Sequence, residues 1–373
     1  MATSSRPGRA AKAVAKRWQL VWLRRGIALL VFLAALEYLV LPQIAGTPTA
    51  LRLLGGVQPG WLIVGFVLEA LSLVSYSLLT RSLLPDSRPP FLWLLRTDLT
   101  ALGLSHVVPG GTVTASPLRY RLLRDGGTSS EDAVVGATVE GIGSAFVLLL
   151  IFWLALILSI PFTGVHVLYI AVATAAATVI GLTAVCAAKL SRRTGGSSGR
   201  TAPVLSRLPA RVRGRVTSAL EAGSAQLAQL LADRQALRAS AVWAAGSWLL
   251  DAASLWVFLG AYGSRPNPIG LVVGYGLANL VAILPISPGG LGIIEGVLIP
   301  SLIGFGVPRG AAVLGVVSWR LFNFWAPIPA AAVCYLTLRT QDWQDRYGGQ
   351  RPAAVVRSFF SQAGAGDLTQ RKA

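Results

Sequence analysis

Acidic side chains are scarce in this chain: 15 Asp and Glu stand against 33 Lys and Arg, and charged residues of either sign make up only 13% of it. Cysteine and histidine occur twice each and methionine once. These shortages exclude whole classes of function. Cys186 and Cys334 both fall within apolar runs, so neither a disulfide framework nor a zinc site is expected. His106 and His166 are far apart, so no histidine metal cluster is expected either. A phosphate-cradling GxxxxGK[ST] loop is missing, which argues against ATP-driven work within this chain, and no cofactor is expected. No nucleophile with an adjacent base stands out, so the reading is not that of an enzyme.

Apolar residues fill the space. They make up 54% of the chain, with a mean hydropathy of +0.62, well outside an ordinary soluble domain. Runs near the roughly 20 residues needed to cross a bilayer occur at about 27–44, 61–80, 133–160, 162–188, 239–262 and 311–338. Two shorter runs, 91–108 and 269–286, lead straight into Pro-Gly-Gly. The formal net charge of +18 lies mostly between the runs while the aromatic residues lie mainly within them, so nucleic acid is not the partner and membrane lipids are.

Basic segments mark the cytoplasmic side. Placing the amino end, Arg81, Arg88, the RYRLLR stretch at 119–124, the 189–238 linker and the tail from Arg339 inside makes both termini cytoplasmic. Residues 91–128 then enter and leave from that side, and 269–307 dip in from the other. The basic amino end followed by an apolar run imitates a signal peptide, but its length favours an uncleaved first helix. The chain thus divides into a basic cytoplasmic tail at 1–25, a membrane domain at 26–338 with a cytoplasmic basic linker at 189–238, and a tail at 339–373.

Sliding the sequence along itself by 179 positions exposes a repeat. Pro109, Gly110 and Gly111 meet Pro288, Gly289 and Gly290, Gly127 meets Gly306, and the run at 61–80 lands on 240–259. The expected fold is therefore an all-α polytopic membrane protein of about six transmembrane helices and two oppositely oriented re-entrant helical hairpins, an inverted repeat with halves at about 61–160 and 239–338. Broken helices persist at membrane depth only where protein or a wet cavity satisfies their backbone, so the breaks at Pro109, Gly110, Gly111, Pro285, Pro288, Gly289, Gly290 and Gly292 point to a polar cleft. Packing alone is the alternative for such Gly and Pro.

An ionisable side chain within such runs costs at least about 2.5 kcal/mol on insertion scales. Glu37 lies close enough to a helix end to face headgroups. Glu69, Glu140, Asp251, Glu295 and Arg320 do not, and Asp98 and His106 stand on the first hairpin. Glu295, just after the second break, either accepts backbone N–H groups at a helix start or presents charge to the cleft. Arg320 is its natural partner and is suited to gripping a phosphate. Asn279 and Asn323 flank the same break, and Arg119, Arg121 and Arg124 are expected at the cytoplasmic mouth. Structural ion pairing is the competing role for Glu69, Asp251, Glu140 and Arg320.

PISPGGLGIIEG at 285–296, preceded by a Tyr-Gly-x-x-Asn stretch at 275–279 and followed by Trp-Arg-Leu-x-Asn-Phe-Trp at 319–325, resembles the lysylphosphatidylglycerol synthase transmembrane-region family, flippase-like membrane proteins. The resemblance covers about 25–340 and implies lipid translocation, carried by Pro288, Gly289, Gly290, Gly292, Glu295, Gly296 and Arg320. The cargoes it suggests are an aminoacylated or anionic phospholipid or a polyprenyl-phosphate-linked glycan. A non-transporting partner that presents lipid to a separate cell-envelope lipid-modifying enzyme is the alternative. Full-length resistance factors of the family carry an aminoacyl-transferase domain, and no counterpart follows residue 338, so synthase activity does not transfer. Many members have Gly-Glu-x-x-Arg after the first break; here VVPGGTVTASPLRYRLL supplies Arg119 without the glutamate. That version is similar to actinobacterial members, which implies a bacterial plasma membrane.

Overall fold

The computed structural model describes residues 59–84, 88–108, 110–163, 233–283 and 287–347. The apolar run at 27–44, nearly all of that at 162–188, most of the linker, both ends of the chain, Glu37, Cys186, His166, Pro109 and Pro285 lie outside them. Every regular element among the described residues is helical. In order they are α1 (Pro59–Leu83), α2 (Phe91–Val107), α3 (Gly111–Asp125), α4 (Ser130–Thr163), α5 (Arg234–Ala261), α6 (Pro268–Ala282), a 3₁₀ turn (Pro288–Gly290), α7 (Ile293–Gly304), α8 (Arg309–Arg320), a π turn (Leu321–Trp325) and α9 (Pro327–Tyr347). Four stretches are long and apolar enough to cross a membrane: Pro59–Leu83, Ser130–Ile160, Arg234–Ala261 and Arg309–Thr340. They coincide with four of the six expected crossings.

Local chemistry sets the helix limits. Asp233 accepts from the N–H groups of Gln235 and Ala236 at the start of α5, and Asn267 from Ile269 at the start of α6, where Pro268 occupies the first turn. The Ser129 hydroxyl accepts from the Asp132 N–H and opens α4. In the π turn, the Ala326 N–H reaches back to the Leu321 carbonyl at 2.9 Å. Pro327 follows and has no N–H to continue the α pattern, so the ladder slips by one residue there.

The 179-residue correspondence recurs in the backbone. Gly110 and Gly111 have φ of 91° and 56°, and Gly289 and Gly290 have φ of 53° and 71°, so both breaks use left-handed backbone that other residues adopt at a cost. Past each hairpin the turns also match: Thr128 N–H bonds the Leu123 carbonyl at 3.1 Å, and Val307 N–H bonds the Leu302 carbonyl at 3.0 Å. Each closes around a left-handed glycine, Gly127 or Gly306. α4 and α8 then begin at Ser130 and Arg309, again 179 apart.

Packing relates the two halves. α1 and α5 run antiparallel: Trp61 meets Gly260, Ser254 donates to the Gly65 carbonyl at 2.9 Å, Ser72 to the Ser247 carbonyl at 2.9 Å, and Ser82 meets Ser240. Small residues permit this approach, since a Cβ on Gly65 would lie 2.6 Å from the Phe258 ring. Close backbone packing and hydroxyl bonds, more than hydrophobic burial, join helices in lipid. α2 and α3 form an antiparallel hairpin, with Trp93 Nε1 donating to the Leu122 carbonyl at 3.0 Å. α6 and α7 form another, with Gly270 against Phe305 and Gly274 against Ser301. Each hairpin lies on the last long helix of the other half: Gly103 of α2 sits against Ala331 of α9, and Gly276 of α6 against Phe152 of α4.

Candidate functional site

The two breaks meet. A Cβ added to Gly289 would fall 2.4 Å from the Phe324 ring and 2.8 Å from His106, so the second break fits only glycine and lies against the end of α2. His106 stacks on Phe324, with ring centroids 4.4 Å apart, and its Nδ1 is 3.0 Å from the Phe324 carbonyl oxygen. The Arg320 guanidinium lies 5.2 Å from the centroid of that ring. Around this junction the buried charges gather into two clusters.

The first cluster takes one side chain from each of the first four helices. Arg119 of α3 donates through Nε and Nη2 to Asp98 Oδ1 of α2, at 3.0 and 2.8 Å. Nη2 also reaches both oxygens of Glu140 of α4, at 3.0 and 2.7 Å. The Thr80 hydroxyl of α1 lies 2.9 Å from Glu140 Oε2 and 3.1 Å from Asp98 Oδ2, and accepts from Arg119 Nη2 at 3.0 Å. Tyr76 presents its ring 5.8 Å from the guanidinium carbon. One guanidinium thus holds two carboxylates.

The second cluster is deeper and more acidic. Glu295, in the first turn of α7, accepts from the Gly292 N–H at 2.6 Å through Oε2 and from Arg320 Nε through Oε1. Glu295 therefore caps a helix start and pairs with the interior arginine. Arg320 and Glu295 are 1% and 4% exposed, so removing either partner strands a buried charge. Asp251 of α5 accepts from the Tyr275 hydroxyl at 2.6 Å, the Trp319 indole N–H at 2.6 Å and Asn323 Nδ2 at 3.2 Å. Asn323 also donates to Glu69 Oε1 of α1 at 3.1 Å, so one amide in the π turn bridges two carboxylates. Here one guanidinium stands among three carboxylates.

The expected residues are thereby sorted. Glu295 with Arg320, and Glu69 and Asp251 with Asn323, come together in the second cluster. Glu140 pairs with Arg119 and not with Arg320. Arg119 is half-buried, with 12% of its side chain exposed; Arg121 and Arg124 are exposed. Asn279 donates to the Tyr275 carbonyl one turn back in its own helix, at 3.0 Å, and bridges no carboxylates. Gly110 and Gly111 form the first break, Pro288, Gly289 and Gly290 the second, and Gly292 precedes α7.

Sequence reasoning gave no site role to Thr80, Tyr275, Trp319 or Phe324. Tyr and Trp seek a partner for their polar atom when buried, which is the signal that finds Tyr275 and Trp319 in apolar helices. Thr80 and Phe324 carry no such mark.

Long apolar helices, two helical breaks and buried charge define a polytopic helical membrane protein. The chain belongs to the family described as the lysylphosphatidylglycerol synthase TM region, which matches residues 21–331. It is similar to a UPF0104 membrane protein of Methanothermobacter thermautotrophicus, 27% identical over 319 residues, or 82% of this chain and 91% of the relative. A 95-residue stretch is 25% identical to the inner membrane protein YbhN of Escherichia coli, covering 26% of this chain and 29% of that one. The family is a transmembrane region, and neither its description nor these names indicate a catalytic domain.

Proposed function

We propose that the protein moves an amphipathic lipid between leaflets, with the headgroup passing between the two hairpins and the acyl chains staying in the bilayer. In this reading α2–α3 and α6–α7 are re-entrant and oppositely oriented, the termini face the cytoplasm, and the halves rock about the α1–α5 pair. The observation that carries it is the meeting of the two broken helices, Gly289 against His106 and Phe324, beside buried charge. Backbone at a break in lipid requires satisfaction by protein or by a wet cavity, and inverted repeats put their cargo sites at such junctions. Both guanidiniums are engaged by carboxylates, so an anionic headgroup displaces Glu295 or Glu140, whereas a cationic one meets carboxylate in excess.

The family's description as a region of a synthase supports a second reading, in which the protein holds lipid for a separate cell-envelope lipid-modifying enzyme. Reconstitution with fluorescent lipids and chemical bleaching of outer-leaflet headgroups separates the two. Leaflet exchange above that of empty vesicles, lost in Glu295→Gln and Arg320→Ala proteins that remain monodisperse, supports translocation. Exchange equal to empty vesicles for every lipid class tried contradicts it and favours the partner.

A further inference from the structure

One carboxylate in the interior lacks a donor for half of its capacity. Glu69 is 3% exposed; its Oε1 accepts from Asn323, but its Oε2 is buried with no hydrogen-bond partner. Asp251 is the opposite case, with three donors on its two oxygens. Both carboxyl groups accept from the same Asn323 Nδ2, at 3.1 and 3.2 Å, so they are gathered around one amide nitrogen. Two ionised carboxylates cannot bond each other and repel strongly in an apolar interior; one proton between them turns that repulsion into a hydrogen bond. The donor count decides where the proton resides. Asp251 is held as an acceptor by Tyr275, Trp319 and Asn323, whereas Glu69 Oε2 gains a partner by carrying the proton itself.

We propose that Glu69 and Asp251 form a proton-binding site, with Glu69 the protonated member and Asp251 the ionised acceptor, and that release of this proton is coupled to the lipid exchange proposed above. The coupling rests on that reading; the proton site does not. Glu69 and Asp251 stand on α1 and α5, the antiparallel pair that joins the two halves, so the hydrogen bond ties one half to the other. When the proton passes to water, the pair gains a second negative charge across that interface and α1 and α5 are driven apart.

The groups around the pair give the release a further consequence. From α6 comes Tyr275, from α8 Trp319 and Arg320, from the π turn Asn323, and from α7 Glu295, which holds Arg320. On α2, His106 faces Phe324 and Arg320. Asp98, Arg119 and Glu140, with Tyr76, gather at Thr80, about three turns along α1 from Glu69. Arg320 is therefore the cation available to a doubly ionised pair. Its shift toward that pair leaves Glu295 Oε1 without its cation while Oε2 keeps the Gly292 N–H, and is reversed when Glu69 is reprotonated from water.

Two measurements on the full chain in lipid test this. Infrared spectra at neutral pH are expected to contain a protonated-carboxyl C=O component that is lost in Glu69→Gln and kept in Glu140→Gln. Superimposable wild-type and Glu69→Gln spectra in that region overturn the proton site. In vesicles, imposing a pH gradient is expected to raise exchange of a fluorescent phospholipid in the wild type, with that rise lost in Glu69→Gln. Exchange that is present but indifferent to the gradient overturns the coupling and leaves translocation standing. Exchange absent with and without the gradient overturns translocation and the coupling together, while the infrared component still decides the proton site.

Discussion

In the first half of the molecule the guanidinium stands on the returning arm of the hairpin, Arg119 on α3, and the carboxylate Glu140 on the helix that follows. In the second half the carboxylate Glu295 stands on the returning arm and Arg320 on the helix that follows. Both halves tie the returning arm of a hairpin to the helix that follows through an ion pair, but with the charges exchanged. The feature the repeat maintains is the tie, and neither partner's identity is needed for it. The exchange also has a local cause. Glu295 lies in the first turn of α7, where a carboxylate is favoured by the helix dipole and caps the Gly292 N–H, whereas Arg119 lies beyond the middle of α3 and gains nothing from its helix ends.

The comparison breaks most visibly at the ion pairs. Arg320→Ala leaves Glu295 buried without its cation and is expected to cost about 3–5 kcal/mol, read as a fall in denaturation midpoint in detergent. Arg119→Ala is expected to cost less, because its side chain is 12% exposed against 1% for Arg320. Equal losses would mean that depth does not distinguish the halves. The two breaks sharpen the contrast. Gly289→Ala combines left-handed backbone, about 1–2 kcal/mol, with a clash against the Phe324 and His106 rings, whereas a Cβ on Gly110 first meets the end of the Thr114 side chain, at 2.8 Å. The same assay should therefore rank Gly289→Ala clearly above Gly110→Ala.

Smaller effects follow. Thr80→Val removes the hydroxyl that bridges Asp98 and Glu140 and is expected to cost about 1–3 kcal/mol, since the acceptors are buried. A loss within error would show that Arg119 alone satisfies the cluster. Arg121→Ala is the control. Its side chain is 77% exposed and its pairing with Asp125 is 3.8 Å long, so the change should stay within about 0.5 kcal/mol.

These contrasts also mark what a sequence can carry. The breaks were legible because left-handed backbone at Gly110, Gly111, Gly289 and Gly290 demands glycine, so geometry is written in residue type and spacing. The pairing of Glu295 with Arg320 was legible because a carboxylate at a helix start and a lone arginine in an apolar run each ask for a partner. The Arg119 cluster was not, since its members come from four helices and only packing brings Thr80, Asp98 and Glu140 to one guanidinium. The π turn escaped for a different reason. Pro327 announces a disturbed ladder, but the direction in which Asn323 and Phe324 are turned depends on the ladder's slip by one residue.

Lipid translocation by an inverted repeat requires the two hairpins to enter the membrane from opposite faces. Single cysteines at Arg88, Arg124, Arg265 and Arg309, on a Cys186→Ser and Cys334→Ser background, mark the ends of both hairpins for a membrane-impermeant thiol reagent. Positions 88 and 124 are expected to react from the cytoplasmic face and positions 265 and 309 from the opposite one. Labelling of 88 and 124 from different faces, or of all four from the same face, would contradict this arrangement.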